Sequence, residues 1–525
     1  MDTKALRQKI LDLAIRGKLV PQDPSDEPAS VLLERIREQK KQMVKEGKLK
    51  AKDIMDDTII FVGEDNLHYE KFADGTVKCI EEEIPFEVPE GWEWTRLQSI
   101  TSILTDGTHK TPTYSEDGYI FLSSKNVTSG KIDWSNIMYI PESLHQELYS
   151  RLAPKIGDIL LAKNGTTGVA AIVDREEVFD IYVSLALIRV VENIIDPLYI
   201  LNVIGSSFAQ DYFSSSLKGI GVPNLHLEHI RNTLIPIPPC LEQARINSRT
   251  DMLLPLAGQI EENREELKRL VSFLKSKILD LAIRGKLVPQ DPNDEPASVL
   301  LERIRTEKEE LIKQGKIKRG KKESIIFRGD DNSYYLRTGE VEESLENWRF
   351  DDLPETWEIC CLCELCDYGD CISVNTEDIA EDAWILDLED IEKDTGTVLK
   401  KVAKAQRNSV STKHKFHSGQ VLYSKLRPYL NKVVLSDADG YCTSEILPLE
   451  FKNCVLPEYA RYYLMSGTFI AYANHCSYGV KMPRLGTTDG KKAIFSLPPL
   501  SEQKRIVETI DFFFMQLNKI SEALA

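Results

Sequence analysis

Residues Lys9–Pro24 read KILDLAIRGKLVPQDP, and residues Lys277–Pro292 read the same sixteen letters. The likeness continues as DEPASVLLERIR at Asp26–Arg37 and Asp294–Arg305. A second phrase, Pro239-x-x-Glu242-Gln243-x-Arg245-Ile246, returns displaced by 260 as Pro499-x-x-Glu502-Gln503-x-Arg505-Ile506. Two copies of one frame thus enclose two stretches with few letters in common. A chain that keeps its frame and varies its inserts is built to read two different things.

From Ile246 to Leu281 apolar residues fall in steps of four and three: Ile246, Leu253, Ala257, Ile260, Leu267, Val271, Leu274, Ile278 and Leu281, with Thr250 and Arg264 filling the pattern. That is a heptad seam, and at 1.5 Å per residue it spans roughly 54 Å. Gly285 is a fitting stop, whereas Pro255 should kink or divide the rod. The carboxy-terminal stretch carries one half of the seam at Ile506, Ile510, Phe513, Leu517, Ile520 and Leu524, and the amino-terminal stretch carries the other at Leu6, Ile10 and Leu13. The termini are therefore expected to lie together beside the central helix as an antiparallel partner.

The fold class predicted is α+β: two mixed α/β inserts separated by long antiparallel coiled-coil helices in a pseudo-two-fold repeat. The boundaries expected are 1–22, an amino-terminal helix; 23–85, a helical and strand linker; 86–238, the first insert; 239–288, the central helical spacer; 289–350, the second linker; 351–499, the second insert; and 500–525, a carboxy-terminal helix. Asp26-Glu27-Pro28 and Asp294-Glu295-Pro296 place an acid and a proline at the first turn of helices running through Val31–Lys45 and Val299–Lys313. The basic tails after them, Lys48–Lys52 and Lys316–Lys322, read first as solvated linkers, ahead of Ile59-Ile60-Phe61 and Ile325-Ile326-Phe327 as short strands. The inserts open on Pro89-Glu90-Gly91-Trp92 and Pro354-Glu355-Thr356-Trp357, and close on related turns, Gly219–Leu225 and Gly479–Leu485.

A chain of 525 residues, 42% apolar and 28% charged, is an ordinary globular protein of several units. Its amino terminus lacks the apolar core of a signal peptide, and no run approaches the roughly 18 apolar residues of a membrane span. A cytoplasmic location without membrane contact is expected. Ten cysteines suit reduced thiols. Five crowd at Cys360, Cys361, Cys363, Cys366 and Cys371, but no second CxxC or histidine pair completes a zinc site, so they read as small buried strand residues and no metal is assigned. The formal net charge of −17 is unusual for a protein that grips nucleic acid alone; basic surface, if used, must be local.

No phosphate loop, GxGxxG, nucleophile elbow or HExxH occurs. No catalytic residue and no cofactor is assigned. The acidic run Asp387–Lys393 offers carboxylates and a lysine, as a metal nuclease would, but reads first as a charged hairpin edge. What remains is polar and basic side chains at strand ends. In the first insert these are Thr108, His109, Lys110, Lys125, Asn126, Lys163, Asn164 and Thr166; in the second, Lys425, Arg427, Tyr429, Asn431, Lys432, Lys481 and Arg484. Arginine and lysine bond guanine edges or phosphates, asparagine bonds adenine, and threonine serves either. Lys163 and Lys425 end equivalent strands, GDILLAK and GQVLYSK, and lead as phosphate contacts.

The duplicated KILDLAIRGKLVPQ, the PPLxEQxRI-type closers, and DGTHKTPTY, GDILLAKNGTTG and YSKLRPYLNK together resemble the specificity subunit of type I restriction–modification systems, over essentially the whole chain. The resemblance implies that each insert is a target recognition domain reading one half of a split double-stranded DNA sequence, with the helices as the ruler between halves. It implies as partners two modification subunits, which carry S-adenosylmethionine and the adenine methylation chemistry, and restriction subunits that translocate and cut. The chain itself is then a recognition subunit without catalysis. The competing expectation is a coiled-coil scaffold whose inserts bind proteins.

Overall fold

In each copy of RGKL the helix stops because Gly17 and Gly285 take φ of +63° and +66°, a left-handed turn closed by Lys18 N–H to Leu13 O (2.8 Å) and Lys286 N–H to Leu281 O (2.9 Å). A Cβ at either glycine would lie only 2.3 or 2.4 Å from Cγ of the proline that opens the following insert, Pro89 or Pro354. The repeated glycine is thus required twice over, by backbone angle and by close packing. The computed structural model describes residues 2–128, 130–217, 224–316, 324–331, 333–345, 353–407 and 410–524. It divides into two compact units, Met1–Asn263 and Arg264–Ala525.

Both units share one element order. A helix (Ala29–Lys45 or Ala297–Lys313) leads to a three-stranded antiparallel sheet, Ile59–Val62, His68–Lys71 and Val77–Cys79 in the first unit and Ser324–Arg328, Tyr334–Thr338 and Val341–Ser344 in the second. The first and last strands of each insert then pair antiparallel, Glu93–Arg96 with Leu234–Ile237 and Glu358–Cys361 with Ile494–Leu497. Among the described residues three short helices precede the last strand in both: Pro197–Gly205, Ser207–Ser215 and Leu227–Arg231, and Pro457–Leu464, Gly467–His475 and Thr487–Lys492.

Between these shared elements the sheets differ. Among the described residues the first insert has a four-stranded and a three-stranded sheet, and the second a five-stranded, a three-stranded and a two-stranded one, the last pairing Ser477–Tyr478 with Arg484–Leu485. Frame and insert nonetheless share a core in each unit. Ile15, Leu32, Trp92, Ile188, Tyr199 and Ile246 belong to one cluster, and Ile283, Leu300, Trp357, Val421, Tyr459 and Ile506 to the other.

The second repeated phrase is the clasp. Trp92 Nε1–H donates to Glu242 at 2.9 Å, and Trp357 Nε1–H to Glu502 at 2.9 Å. The other oxygen of each carboxylate accepts from Gln22 (3.1 Å) or Gln290 (2.6 Å), the glutamine of VPQDP. Gln243 and Gln503 donate to Pro238 O and Pro498 O, and accept from the Asp196 and Leu456 N–H groups. Arg245 pairs with Asp26, and Arg505 with Asp294. Asp26 and Asp294 are therefore ion-pair partners of the clasp rather than helix-dipole residues. Pro28 and Pro296 stand just outside the helices, whose first N–H groups, on Ala29 and Ala297, donate to Gly91 O and Thr356 O.

Cys240–Ile283 is a single helix of 44 residues with Pro255 inside it, so the proline does not divide the rod. Pro255 lies on an exposed face, where water can satisfy the carbonyl its missing N–H leaves free. The amino-terminal helix Thr3–Ile15 runs antiparallel to the first unit's part of this rod, with Thr3 bonded to Glu261 and Arg7 over Gly258. In the second unit the helix Leu500–Ala523 does the same, with Arg264 donating to Leu524 O (2.6 Å) and Lys275 to Asn518 (2.6 Å). The heptad seam is only partly used: Ile246, Thr250, Ala257 and Val271 are buried, whereas Ile260, Leu267, Leu274, Phe513 and Ile520 are exposed. The amino-terminal helix also buries Leu11, Ala14 and Ile15 rather than Leu6 and Leu13, because it packs on Pro197–Gly205 as well as on the rod.

Gly17→Ala or Gly285→Ala should lower unfolding free energy by about 1–3 kcal/mol through overpacking alone, with left-handed strain in addition, as read by denaturant unfolding. Burial pushes the Glu242 and Glu502 carboxyls above the ordinary 4.5. The folded state then holds protons that the unfolded chain has released, so their contribution falls as pH rises from 4.5 through the raised folded values and levels off above them. The double variant Glu242→Gln, Glu502→Gln should show a flatter dependence of melting temperature across that window; an unchanged slope would discount the clasp.

Candidate nucleic-acid interface

Every strand-end loop singled out in the first insert converges on the turn Tyr182–Leu185. Thr108 N–H donates to Ile181 O (3.1 Å) and Thr108 O accepts from Val183 N–H (3.0 Å). Ser124 N–H donates to the Ser184 hydroxyl (3.0 Å), Lys163 N–H to Ser184 O (2.8 Å), and Leu225 N–H to Lys163 O (2.8 Å). Gly107 is forced by this crowding, since a Cβ there would collide with the Ile181 carbonyl. The second insert repeats the lattice: Lys425 N–H donates to Glu445 O (3.0 Å) and Leu485 N–H to Lys425 O (3.0 Å). Asn164 bridges to Asn224 and Leu426 to Arg484. The two lysines occupy the same backbone position.

Their side chains do not share a role. Lys163 is 5% exposed and its Nζ lies 2.5 Å from Asp106 Oδ2, itself buried. It is not the phosphate contact expected; it neutralises a carboxylate at the end of Thr101–Asp106. Asp106 also holds His109 Nε2 at 3.2 Å, and its carbonyl accepts from Arg151 at 2.8 Å. Lys425 is half-buried and has no ion pair among the described residues. Its neighbour is the Cys371 thiol, which burial pushes up while Lys425 pulls the other way. Counted from Trp92 and Trp357, Cys371 stands where Asp106 does.

Two asparagines are likewise corrected. Asn126 is buried, accepting from Ser123 N–H (2.9 Å) and donating to Asn136 O (2.9 Å), which closes its own 3-10 turn. Asn431 is buried in a left-handed conformation (φ 48°) and donates to Met465 O (3.3 Å). Neither is free to bond a base. Lys432 donates to Leu388 O (2.6 Å), and Arg484 forks onto Glu445 at 2.9–3.1 Å; both brace loops. The Thr108 hydroxyl accepts from Lys110 N–H (3.3 Å).

What faces outward is His109, Lys110, Lys125 and Thr166 in the first insert, with Asn164 half-exposed. In the second it is Tyr429 and Lys481, with Arg427 half-exposed. Arg427 also takes a left-handed φ of 50°, and its N–H donates to Pro483 O at 2.7 Å. Tyr478, Val480 and Met482 stand exposed beside Lys481, on a closing turn whose sequence reads only as structure. Its Gly-x-x-x-Pro spacing with apolar letters between was the available signal. In the first insert the matching turn residues Gly219–Pro223 lie outside the described residues, as do 317–322 of the second basic tail.

The acidic run Asp387–Lys393 is not simply a hairpin edge. Leu388–Asp390 forms a 3-10 turn whose buried Asp390, with Asp387, grips Arg407, and only from Ile391 does the chain enter a tight hairpin pairing with Val398. Among the clustered cysteines, Cys360 and Cys361 are buried on a strand as read, but Cys363 lies in the short helix Leu362–Leu365 with Cys366 just after it. Cys360 and Cys366 donate to Phe495 O and Leu362 O, and burial pushes both thiols well up. Among the described residues no group of three His, Cys, Asp or Glu is placed to hold a metal, and no helix is long and apolar enough to cross a membrane.

Comparison with known proteins agrees with this repeated frame. The sequence model of the type I restriction modification DNA specificity domain matches twice, at residues 89–269 and 354–524. The specificity subunit of the Escherichia coli type I restriction enzyme EcoAI is 30% identical over 98% of this chain and 90% of its own length. That of EcoEI, also from Escherichia coli, is 28% identical over 99% and 90%. A solved chain from a study of complex assembly and conformational transition of the type I R-M system shares the fold, with a TM-score of 0.51 and 17% identity over 84% of this chain and 94% of that one. The chain belongs to the type I restriction–modification DNA specificity family.

Proposed function

We propose that this chain is the recognition subunit of a type I restriction–modification complex and has no catalytic activity of its own. Each insert reads one half of a bipartite double-stranded DNA target. The helices set the spacing and dock two modification subunits, and restriction subunits join that assembly. The observation that carries this reading is the shared loop lattice around Lys163 and Lys425, which presents different outward side chains in the two units. A fixed scaffold with interchangeable contacts is what a reader of two unlike half-sites needs.

The helices support the docking role. In the first unit Met252 and Leu256 of the central helix are exposed; in the second, Leu270 and Phe273 of that helix and Phe512 and Met515 of the carboxy-terminal helix are exposed. Apolar side chains on one long helix favour burial against a partner.

Assembling the chain with its modification subunits and mapping methylated adenines should return a split target, with one half changed when one insert is exchanged. A continuous target would count against the reading. Inserting seven residues after Glu266 should widen the gap between halves, and an unchanged gap would remove the ruler role from the helix. Lys163→Ala should cost about 3–5 kcal/mol of stability by stranding the buried Asp106, seen as a lower unfolding midpoint. Lys425→Ala should instead leave stability within about 0.5 kcal/mol and reduce the salt dependence of DNA binding by about one phosphate contact.

A further inference from the structure

In a chain of net charge −17, the segments Lys425–Lys432 and Tyr478–Leu485 carry Lys425, Arg427, Lys432, Lys481 and Arg484 and no aspartate or glutamate. Glu445 neutralises Arg484 and Lys432 is spent on Leu388 O, which leaves Lys425, Arg427 and Lys481 without an ion pair among the described residues. That local charge points toward a polyanion. The same two segments also expose apolar side chains. Val480 is 101% exposed, Tyr478 63%, Tyr429 47% and Met482 44%. Folding gains nothing from such exposure. Together they make an apolar tip ringed by cations.

The tip stands on a braced base. Ser477–Tyr478 and Arg484–Leu485 pair antiparallel, Gly479 turns the chain at φ +97°, and the Tyr478 ring lies over Gly486. Arg484 is forked onto Glu445, Arg427 N–H holds Pro483 O, and the Arg427 side chain reaches Lys481 O at 3.5 Å. These bonds fix the backbone on both sides of Val480 and Met482. A pre-set apolar projection between phosphate-seeking cations is the geometry with which proteins part stacked bases. The first insert repeats the spacing in sequence, with Ile220 and Val222 where Val480 and Met482 stand.

We propose that the turn Tyr478–Pro483 is an apolar wedge, whose Val480 and Met482 enter the half-site read by the second insert and open one base step while Lys481, Lys425 and Arg427 hold the flanking phosphates. This rests on the DNA-specificity reading above. Unstacking is easiest at pyrimidine–purine steps, so the wedge also selects sequence through deformability rather than hydrogen bonds.

The test uses the full chain assembled with its modification subunits, on duplexes carrying the mapped target. 2-Aminopurine replaces successive bases other than the methylated adenine, whose own extrusion would give a signal. Binding should raise fluorescence at one step of the second half-site. Val480→Ala with Met482→Ala should abolish that rise and weaken specific binding about tenfold, the cost of one lost base-level discrimination, with an unchanged circular dichroism spectrum and melting temperature. Lys481→Ala should weaken binding and flatten its salt dependence yet keep the rise. Specific binding with no rise at any step, or a rise that survives in the double variant, overturns the wedge and leaves the specificity reading standing. A wild-type assembly that shows no salt-sensitive DNA binding overturns both.

Discussion

A tryptophan N–H bonded to a buried glutamate, with a glutamine on the carboxylate's other oxygen, closes each unit of this protein. The tryptophan opens an insert, the glutamate begins the helix that leaves it, and the glutamine comes from the turn before the linker. Three distant stretches of chain are thereby fixed at one point. A buried carboxylate left without these donors would be expensive, so its partners are repeated letter for letter in both copies. Everything between opening tryptophan and closing glutamate is then at liberty to change, provided the first and last strands still pair.

The liberty is visible in the sheets, which differ between inserts, and in the loop lattice, which does not. Lys163 and Lys425 take matching backbone bonds, yet one is ion-paired with a carboxylate and the other has no ion pair among the described residues. Replacing Asp106 by Cys371 in the equivalent place turns a structural ion pair into an unneutralised cation. One frame thus supports different surface chemistry at small cost in packing. The acidic total charge is compatible with a polyanion partner because basic side chains are gathered on loops whose own segments lack acids.

The clasp also explains why the repeated phrases are so unlike ordinary surface sequence. Gly17 and Gly285 fit against the prolines before the tryptophans, and Asp26 and Asp294 reach the arginines after the glutamates. These letters answer others far away in the chain. The heptad seam is looser: its exposed Ile260, Leu267 and Leu274 leave apolar surface that the folded chain does not consume.

Read alone, the sequence determined the tandem frame, the α+β class, the long helix with its glycine stop, and the equivalence of the two lysine-ended strands. Those features are written in identity and periodicity, which need no coordinates. Only the tertiary structure decided which polar side chains are spent inward. Lys163, Asn126 and Asn431 have the right chemistry for DNA and are buried in ion pairs or backbone bonds, while Val480 and Met482 have the chemistry of a core and stand in the open. Hydrogen-bond partners come from distant segments, so residue type states what a side chain can bond and the fold alone states what it does bond. Pro255 carries the same lesson: its missing N–H led to an expected kink or division, and the helix runs through it undivided, on an exposed face where water can bond the freed carbonyl.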